Sequence, residues 1–138
     1  MKPKFFKIED DLYRTTIYVV SNCTMAELSK LIQKKGLSWE ADGLDTDGGQ
    51  YYKLQGENGF IVHLIWLKDW DSKNLFDSII DLVHEVDHLA FSVLETAGIK
   101  CDFENSETHA YYQSWILEKC KGAFIKQPRT QTVNKARK

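Results

Sequence analysis

The residues best suited to chemistry lie in the stretch DLVHEVDHLAF, which covers positions 81–91. His84 and His88 are four residues apart, and Glu85 directly follows the first histidine. On a helix, side chains four residues apart stack on one face, about one turn from each other. Two imidazoles placed in this way can bind one zinc ion, and a carboxylate beside them can act as a general base. The spacing therefore predicts Zn2+ bound by His84 and His88, with Glu85 as the catalytic base.

A catalytic zinc ion takes three protein ligands and keeps one position open. The segment SETHAYYQSW, residues 106–115, offers Glu107 and His109 as the third ligand. These two residues lie about 200° apart around a helix, so both cannot easily face one metal ion. We expect Glu107 to be the ligand, because it falls in the first turn of a helix that the short link GIKCDF would bring back against the first. His109 is the alternative ligand.

The elements that must position these residues can be predicted from turn signals and apolar spacing. Residues 12–21 are rich in β-branched and aromatic side chains and predict a strand. A helix is predicted to follow, because Thr24 and Glu27 form a capping box and Gly36 is a typical helix stop. YYKLQ and GFIVHLIWL then predict two strands of a hairpin joined at GENG.

Two further helices are predicted, over about 71–96 and about 105–121, and Gly98 ends the first of them. In the first helix, apolar residues recur every three or four positions and predict one buried stripe, made up of Phe76, Ile79, Val83, Val86, Ala90, Val93 and Ala97. We expect the histidine pair at the edge of this stripe, beside Val83, and not on the outer surface.

Length and composition indicate a single domain. The chain has 138 residues, of which 43% are hydrophobic and 12% aromatic, enough for a core. No window approaches 18 uncharged apolar residues, so we expect no membrane span, and the charged start MKPKFFKIEDD is not typical of a signal peptide. The 3 cysteines are odd in number and lack CxxC spacing, which favours a reduced, cytoplasmic protein and argues against a cysteine zinc site.

Charge is unevenly distributed along the chain. Residues 126–138 hold five basic and no acidic residues and have almost no apolar content, so we expect a disordered tail after one domain at 1–125. The rest of the chain has 13 basic and 20 acidic residues and should bind nucleic acid poorly. Nucleic acid is therefore expected as a partner only through the tail.

The chain resembles the gluzincin group of zinc metallopeptidases, because HEVDH is followed after 18 residues by ETHAYY. In that group a glutamate on a second helix completes an HExxH site. The small size is similar to that of minimal zincins such as the ImmA/IrrE-like and SprT-like domains, and to that of small phage-encoded relatives. The resemblance covers about 59–121. It implies His84, His88 and Glu107 as zinc ligands, Glu85 as the base, and a peptide or protein as the substrate.

The resemblance also implies an α+β, zincin-like domain, with a short antiparallel or mixed sheet packed on the HExxH helix and on a second, ligand-bearing helix. In the resembling enzymes a peptide lies along an edge strand above the metal, so GFIVHLIWL is expected to be that edge. His63 on this strand would stabilise the oxyanion, and Tyr111 and Tyr112 are further candidates to donate to it. Larger gluzincins carry an aspartate where this chain has Tyr111. We expect Asp81, one turn before His84, to orient that histidine instead.

Simpler interpretations stay open for the same residues. Two histidines on a half-exposed helix can form hydrogen bonds with neighbouring residues and bind no metal. His63, Tyr111 and Tyr112 can be ordinary packing residues. The alternative to a hydrolase is a zincin-like scaffold that binds zinc for stability, or that binds a peptide or protein partner without cleaving it, since fold and site permit both.

Overall fold

A computed structural model of the chain describes residues 4–39 and 49–124. These residues form one five-stranded mixed sheet and three α-helices, which confirms the predicted α+β class. The strands are β1 (Lys4–Asp10), β2 (Thr15–Ser21), β3 (Leu37–Trp39), β4 (Gly49–Gly56) and β5 (Ile61–Leu67). The helices are α1 (Met25–Lys34), α2 (Leu75–Thr96) and α3 (Ser106–Phe124), and a 3-10 helix, Ser72–Asn74, precedes α2. The predicted tail at 126–138 lies outside the described residues.

Helix boundaries follow the predicted local signals. The side chain of Thr24 accepts a hydrogen bond from the backbone of Glu27, which completes the capping box of α1. Gly36 and Gly98 have positive φ angles of 70° and 81°, a backbone conformation that only glycine adopts without strain. Asp71 caps the 3-10 turn that leads into α2. The three helices therefore begin and end within a few residues of their predicted limits.

Strand β5 lies inside the sheet, so the prediction that it forms an edge is wrong. The strand order is β1-β2-β5-β4-β3. β5 pairs in parallel with β2 and antiparallel with β4, and the second pairing is the predicted hairpin. A strand that is apolar on both faces is stable where both of its faces are covered, and an internal position between helical layers provides this. The edges are β1 and the short β3, so the main chain of β5 cannot pair with a substrate peptide.

Helices cover both faces of the sheet. Along β5, Val62, Leu64 and Trp66 pack in the core beneath α1, whereas Ile65 and Leu67 pack in the core beneath α2 and α3. All five side chains are at most 2% exposed. Alternation along one strand therefore supplies two separate apolar cores, one on each face of the sheet.

Strand β1 is an element that the sequence analysis did not predict. It pairs antiparallel with β2 along its whole length, from Lys4 opposite Ser21 to Asp10 opposite Thr15. Its segment KFFKIED contains charged residues that mask its alternation, and charged side chains on an edge strand discourage pairing with another chain.

The buried face of α2 agrees only in part with the predicted stripe. Val86, Ala90 and Val93 are buried as predicted, but Phe76 and Val83 are 75% and 37% exposed. The sheet and α3 together set the direction of burial, so the buried band also takes in a serine and a glutamate. The complete set of buried residues is Ser78, Leu82, Glu85, Val86, Leu89, Ala90, Val93 and Leu94.

The described part of the chain bears on two expectations from composition, which concern a membrane span and the cysteines. Within residues 4–39 and 49–124, no helix is long and apolar enough to cross a membrane. All three cysteines of the chain fall within this part and are free; Cys23 and Cys120 are buried, and Cys101 is exposed.

Candidate metal centre

The histidine pair lies on the solvent-exposed face of α2, which corrects the expectation that it would sit beside a buried Val83. The side chain of His84 is 68% exposed, and His88 is also exposed. Val86 and Leu89, which are buried, lie about 140–200° around the helix from His84 at 100° per residue. Because the sheet covers that opposite side, the two imidazoles point to solvent.

The two imidazole rings are close enough to share one metal ion. Their Nε2 atoms are 3.2 Å apart, and the rings meet edge to face with centroids separated by 4.8 Å. Two zinc–nitrogen bonds of about 2.0–2.1 Å at a tetrahedral angle place the nitrogen atoms roughly 3.3–3.4 Å apart. The observed separation is therefore close to what a single zinc ion requires.

Glu85 lies beside this pair but is buried, with 7% exposure. Its Oε1 atom is 4.0 Å from Nε2 of His84, and its carboxylate accepts a hydrogen bond from the backbone amide of Tyr51 on β4. Burial raises the pKa of Glu85; the nearby His84 and His88 and the Tyr51 amide act in the opposite direction. Burial thus disfavours the charged carboxylate and makes it a stronger proton acceptor.

Strand β4 approaches α2 closely because position 49 is a glycine. A Cβ atom at Gly49 would lie 3.1 Å from Cδ2 of Leu67, 3.2 Å from the carbonyl oxygen of Trp66 and 3.3 Å from Cγ of Glu85. These contacts are tight enough that a larger residue would displace one of its neighbours. The glycine thus lets the first residues of β4 hold the Glu85 side chain in place.

The two candidate third ligands occupy different surfaces of α3. Glu107 is exposed. His109 is half-buried, and its Nε2 atom is 3.6 Å from Oδ1 of Asp87 and makes no hydrogen bond with another described residue. Asp87 lies about 60° around α2 from His84, on the side opposite to His88, so His109 sits in the seam between the two helices.

The structure brings His84, His88 and Glu85 together and does not add a third ligand to them. Among residues 4–39 and 49–124, no group of three histidine, cysteine, aspartate or glutamate side chains is arranged to hold a metal ion. Asp81 is half-buried one turn before His84, and its charge contributes to the raised pKa of Glu85. Glu107 therefore stays a predicted ligand.

His63 is placed away from the histidine pair. It is 3% exposed, and its Nδ1 atom is 2.6 Å from the hydroxyl oxygen of Tyr51, whose ring stacks on the imidazole. It lines a cavity of about 300 Å3 together with Val93 and Thr96, which follow His88 by more than one turn of α2. This position favours a packing role over a role at the metal centre.

The two tyrosines of α3 also point away from the pair. The hydroxyl group of Tyr112 donates a hydrogen bond of 2.8 Å to Oδ2 of Asp10 on β1, and Tyr112 is buried. Tyr111 is 73% exposed and lines a cleft that Asp10 and Tyr112 also line. Both tyrosines therefore line a different surface of the domain.

Sequence analysis missed the two residues that support Glu85, namely Gly49 and Tyr51. Tyr51 begins the predicted strand YYKLQ and Gly49 lies just before it, but the contact between a strand and a helix depends on how the sheet packs. The signal that could have drawn attention to them is the pair of glycines before the tyrosines in GGQYY, because glycine in a strand often marks a close backbone approach.

No family model, curated protein or solved structure matches this chain. The geometry of the residues themselves must therefore support any assignment of function.

We expect His63 to make folding stability depend on pH. Burial, together with the charge of Lys53, lowers its pKa from 6.5 to about 4. Between these values the unfolded chain binds a proton that the folded chain does not, so stability should fall as the pH drops through this range, by up to roughly 3 kcal/mol. Urea unfolding of the wild type and of His63→Gln, measured across the range, tests this. Equal pH slopes for the two proteins would contradict it.

Proposed function

We propose that this protein is a zinc-dependent hydrolase, most simply a peptidase, with His84 and His88 as metal ligands and Glu85 as the general base. The observation that supports the proposal is the 3.2 Å separation of the two Nε2 atoms on an exposed helix face. Free imidazoles on a surface have many other rotamers, and this one brings the two nitrogen atoms to a separation that suits a shared zinc ion as well as a hydrogen bond between the rings. Solvent around the pair leaves room for a substrate and for water.

The exposed histidines are suited to bind a metal ion, and the buried Glu85 is suited to transfer protons. A zinc ion, when bound, lowers the pKa of water toward 7 and polarises a carbonyl group. The buried carboxylate of Glu85 lies 4.0 Å from Nε2 of His84, farther than two tetrahedral zinc ligands lie from each other, and the Tyr51 amide holds it in place. From there it can take a proton from water and pass it to the leaving amine.

A third ligand is proposed to come from Glu107. The helices α2 and α3 pack antiparallel, since His109 lies against Asp87 while Cys120 lines a small cavity with Ile79. Glu107 therefore lies at the level of the histidine pair, one helix away, and is exposed to solvent as the pair is. Because His109 faces α2 and Glu107 lies about 200° from it around α3, binding by Glu107 requires the first turn of α3 to move when the metal binds.

We expect the purified chain to bind about one zinc ion. His84→Ala and His88→Ala should each remove most of the affinity, because one imidazole cannot hold the ion alone. Zinc at about 100 times its dissociation constant should add about 2.7 kcal/mol to the stability of the wild type, and far less to either variant. Metal content by mass spectrometry and thermal unfolding with and without zinc measure both effects. A wild type that stays metal-free in excess zinc at neutral pH would refute the proposal.

We expect Glu107→Ala to weaken zinc binding at least tenfold, a typical cost for a lost ligand or its support. His109→Ala should leave the affinity nearly unchanged, because the ring is turned toward Asp87 in the seam between the helices. Competition with a fluorescent chelator ranks the two variants. The opposite ranking would identify His109 as the third ligand and leave the histidine pair unaffected.

Glu85→Gln separates a hydrolase from a metal-binding scaffold. Glutamine keeps the size of the side chain and can still accept the Tyr51 amide, so the variant should fold and retain zinc. Peptide hydrolysis should fall by about 10²–10⁴-fold, the contribution of general base catalysis. A broad peptide library is the starting substrate, and Glu95→Gln, an exposed position on the same helix, is the matched control. If Glu85→Gln holds zinc and cleaves as fast as the wild type, the pair is a metal clip and not a catalytic centre.

A further inference from the structure

A cleft with acidic and aromatic walls lies between the β1–β2 turn and α3, and we name it the acidic-aromatic cleft. Its volume is about 660 Å3, within the usual range of about 300–1,000 Å3 for a ligand pocket. None of its lining residues belongs to α2 or β4, so it is separate from the histidine pair. The residues that line it are Glu9, Asp10, Asp11, Leu12, Tyr13, Thr108, Tyr111, Tyr112, Trp115 and Lys119.

Asp10 gives this cleft a negative charge within its wall. Its side chain is 5% exposed, and its carboxylate accepts hydrogen bonds from the backbone amides of Leu12 and Tyr13 and from the hydroxyl group of Tyr112. Three neutral donors satisfy the oxygen atoms but bring no positive charge. Among residues 4–39 and 49–124, Asp10 forms no salt bridge. A buried carboxylate without a cationic partner attracts a cation to the adjacent cavity.

The aromatic walls are suited to the same kind of ligand. The rings of Tyr112 and Trp115 are nearly parallel, with centroids 6.0 Å apart, and Tyr13 meets Tyr112 edge to face at 5.0 Å. Tyr111 adds a ring that is 73% exposed. The face of an aromatic ring attracts cations electrostatically, most strongly where water is excluded.

The protein itself already places one cation on this wall. The ammonium group of Lys119 lies 5.5 Å from the centroid of the Trp115 ring. Lys119 is exposed, so a ligand can displace its flexible side chain at small cost. Glu9 is paired with Lys7 at 2.8 Å, which leaves Asp11 as the exposed carboxylate with which a ligand can pair.

We propose that the acidic-aromatic cleft binds the guanidinium group of an arginine side chain from a peptide or protein partner. Guanidinium is planar, so it can stack on an aromatic ring while its N–H groups donate to carboxylates in the ring plane. The compact ammonium of lysine has no flat face to stack and no planar fork, so it fits such a site less well. Phosphates and nucleic acids are poor ligands, because the cleft has three carboxylates against one ammonium.

The test uses the full chain and three blocked tripeptides, Gly-X-Gly, in which X is arginine, lysine or citrulline. Citrulline has nearly the shape of arginine but carries no charge. NMR titration that follows the indole N–H signals should show that the arginine peptide binds, that the lysine peptide binds several-fold more weakly, and that the citrulline peptide binds at least tenfold more weakly. Equal affinity for arginine and citrulline, or no binding of arginine, would overturn the proposal.

Variants locate the binding site. Tyr111→Ala should weaken arginine binding about three- to thirty-fold, and Asp11→Asn about two- to five-fold, because both residues are exposed and contribute little to folding. Lys119→Gln should strengthen it, since the competing ammonium is removed. Phe103→Ala and Glu104→Gln change exposed residues outside the cleft and are the matched controls. If Tyr111→Ala and Phe103→Ala have equal effects, the arginine binds elsewhere.

A last variant separates this proposal from the metal centre. His84→Ala should bind the arginine peptide as tightly as the wild type, because no residue of α2 lines the cleft. A loss of binding in His84→Ala would overturn the assignment of the ligand to the acidic-aromatic cleft. A loss of zinc without a loss of peptide binding supports two independent sites.

Discussion

The need to cover both faces of β5 determines most of this fold. Six of its seven residues are buried, and the five apolar ones among them are divided between two cores, one on each face. Such a strand is most stable with a neighbour on each side and a helical layer on each face. The structure meets this need with β2 and β4 as neighbours, α1 on one face, and α2 with α3 on the other. Once α2 lies across the sheet, its residues are divided into a buried side, a side toward α3, and an outer side.

This division sets the environment of each candidate catalytic residue. The two histidines fall on the outer side of α2, where both imidazoles are exposed to solvent. Glu85 lies about 100° around the helix from His84 and falls where α2 meets β4. The five-residue motif HEVDH therefore has exposed ends and a buried second position. A helix that packed with a different rotation would expose the carboxylate or bury the imidazoles, and the three side chains would lose their separate roles.

Local features of the chain could be predicted, and relations between distant segments could not. The capping box at Thr24, the helix stops at Gly36 and Gly98, and the β4–β5 hairpin depend on neighbouring residues, and all were predicted correctly. Strand order depends on contacts between residues far apart in sequence, so β5 was wrongly placed at an edge. Strand β1 was missed because its charges conceal its alternation. The face of α2 that is buried depends on the sheet and on α3, so the spacing of apolar residues gave only part of it.

The different surroundings of Glu85 and the two histidines in this motif are a consequence of sheet packing. The carboxylate of Glu85 could bind a metal ion held by the neighbouring histidines only by turning away from β4. That movement would break the hydrogen bond from the Tyr51 amide. It would also expose the Glu85 side chain, whose Cγ atom lies 3.3 Å from where a Cβ at position 49 would be. A hydrogen bond to a charged group contributes about 1.5–3 kcal/mol, and this energy favours the observed position of the carboxylate. The strand thus restrains the carboxylate in the position that the proposed base requires, while both imidazoles remain exposed to solvent.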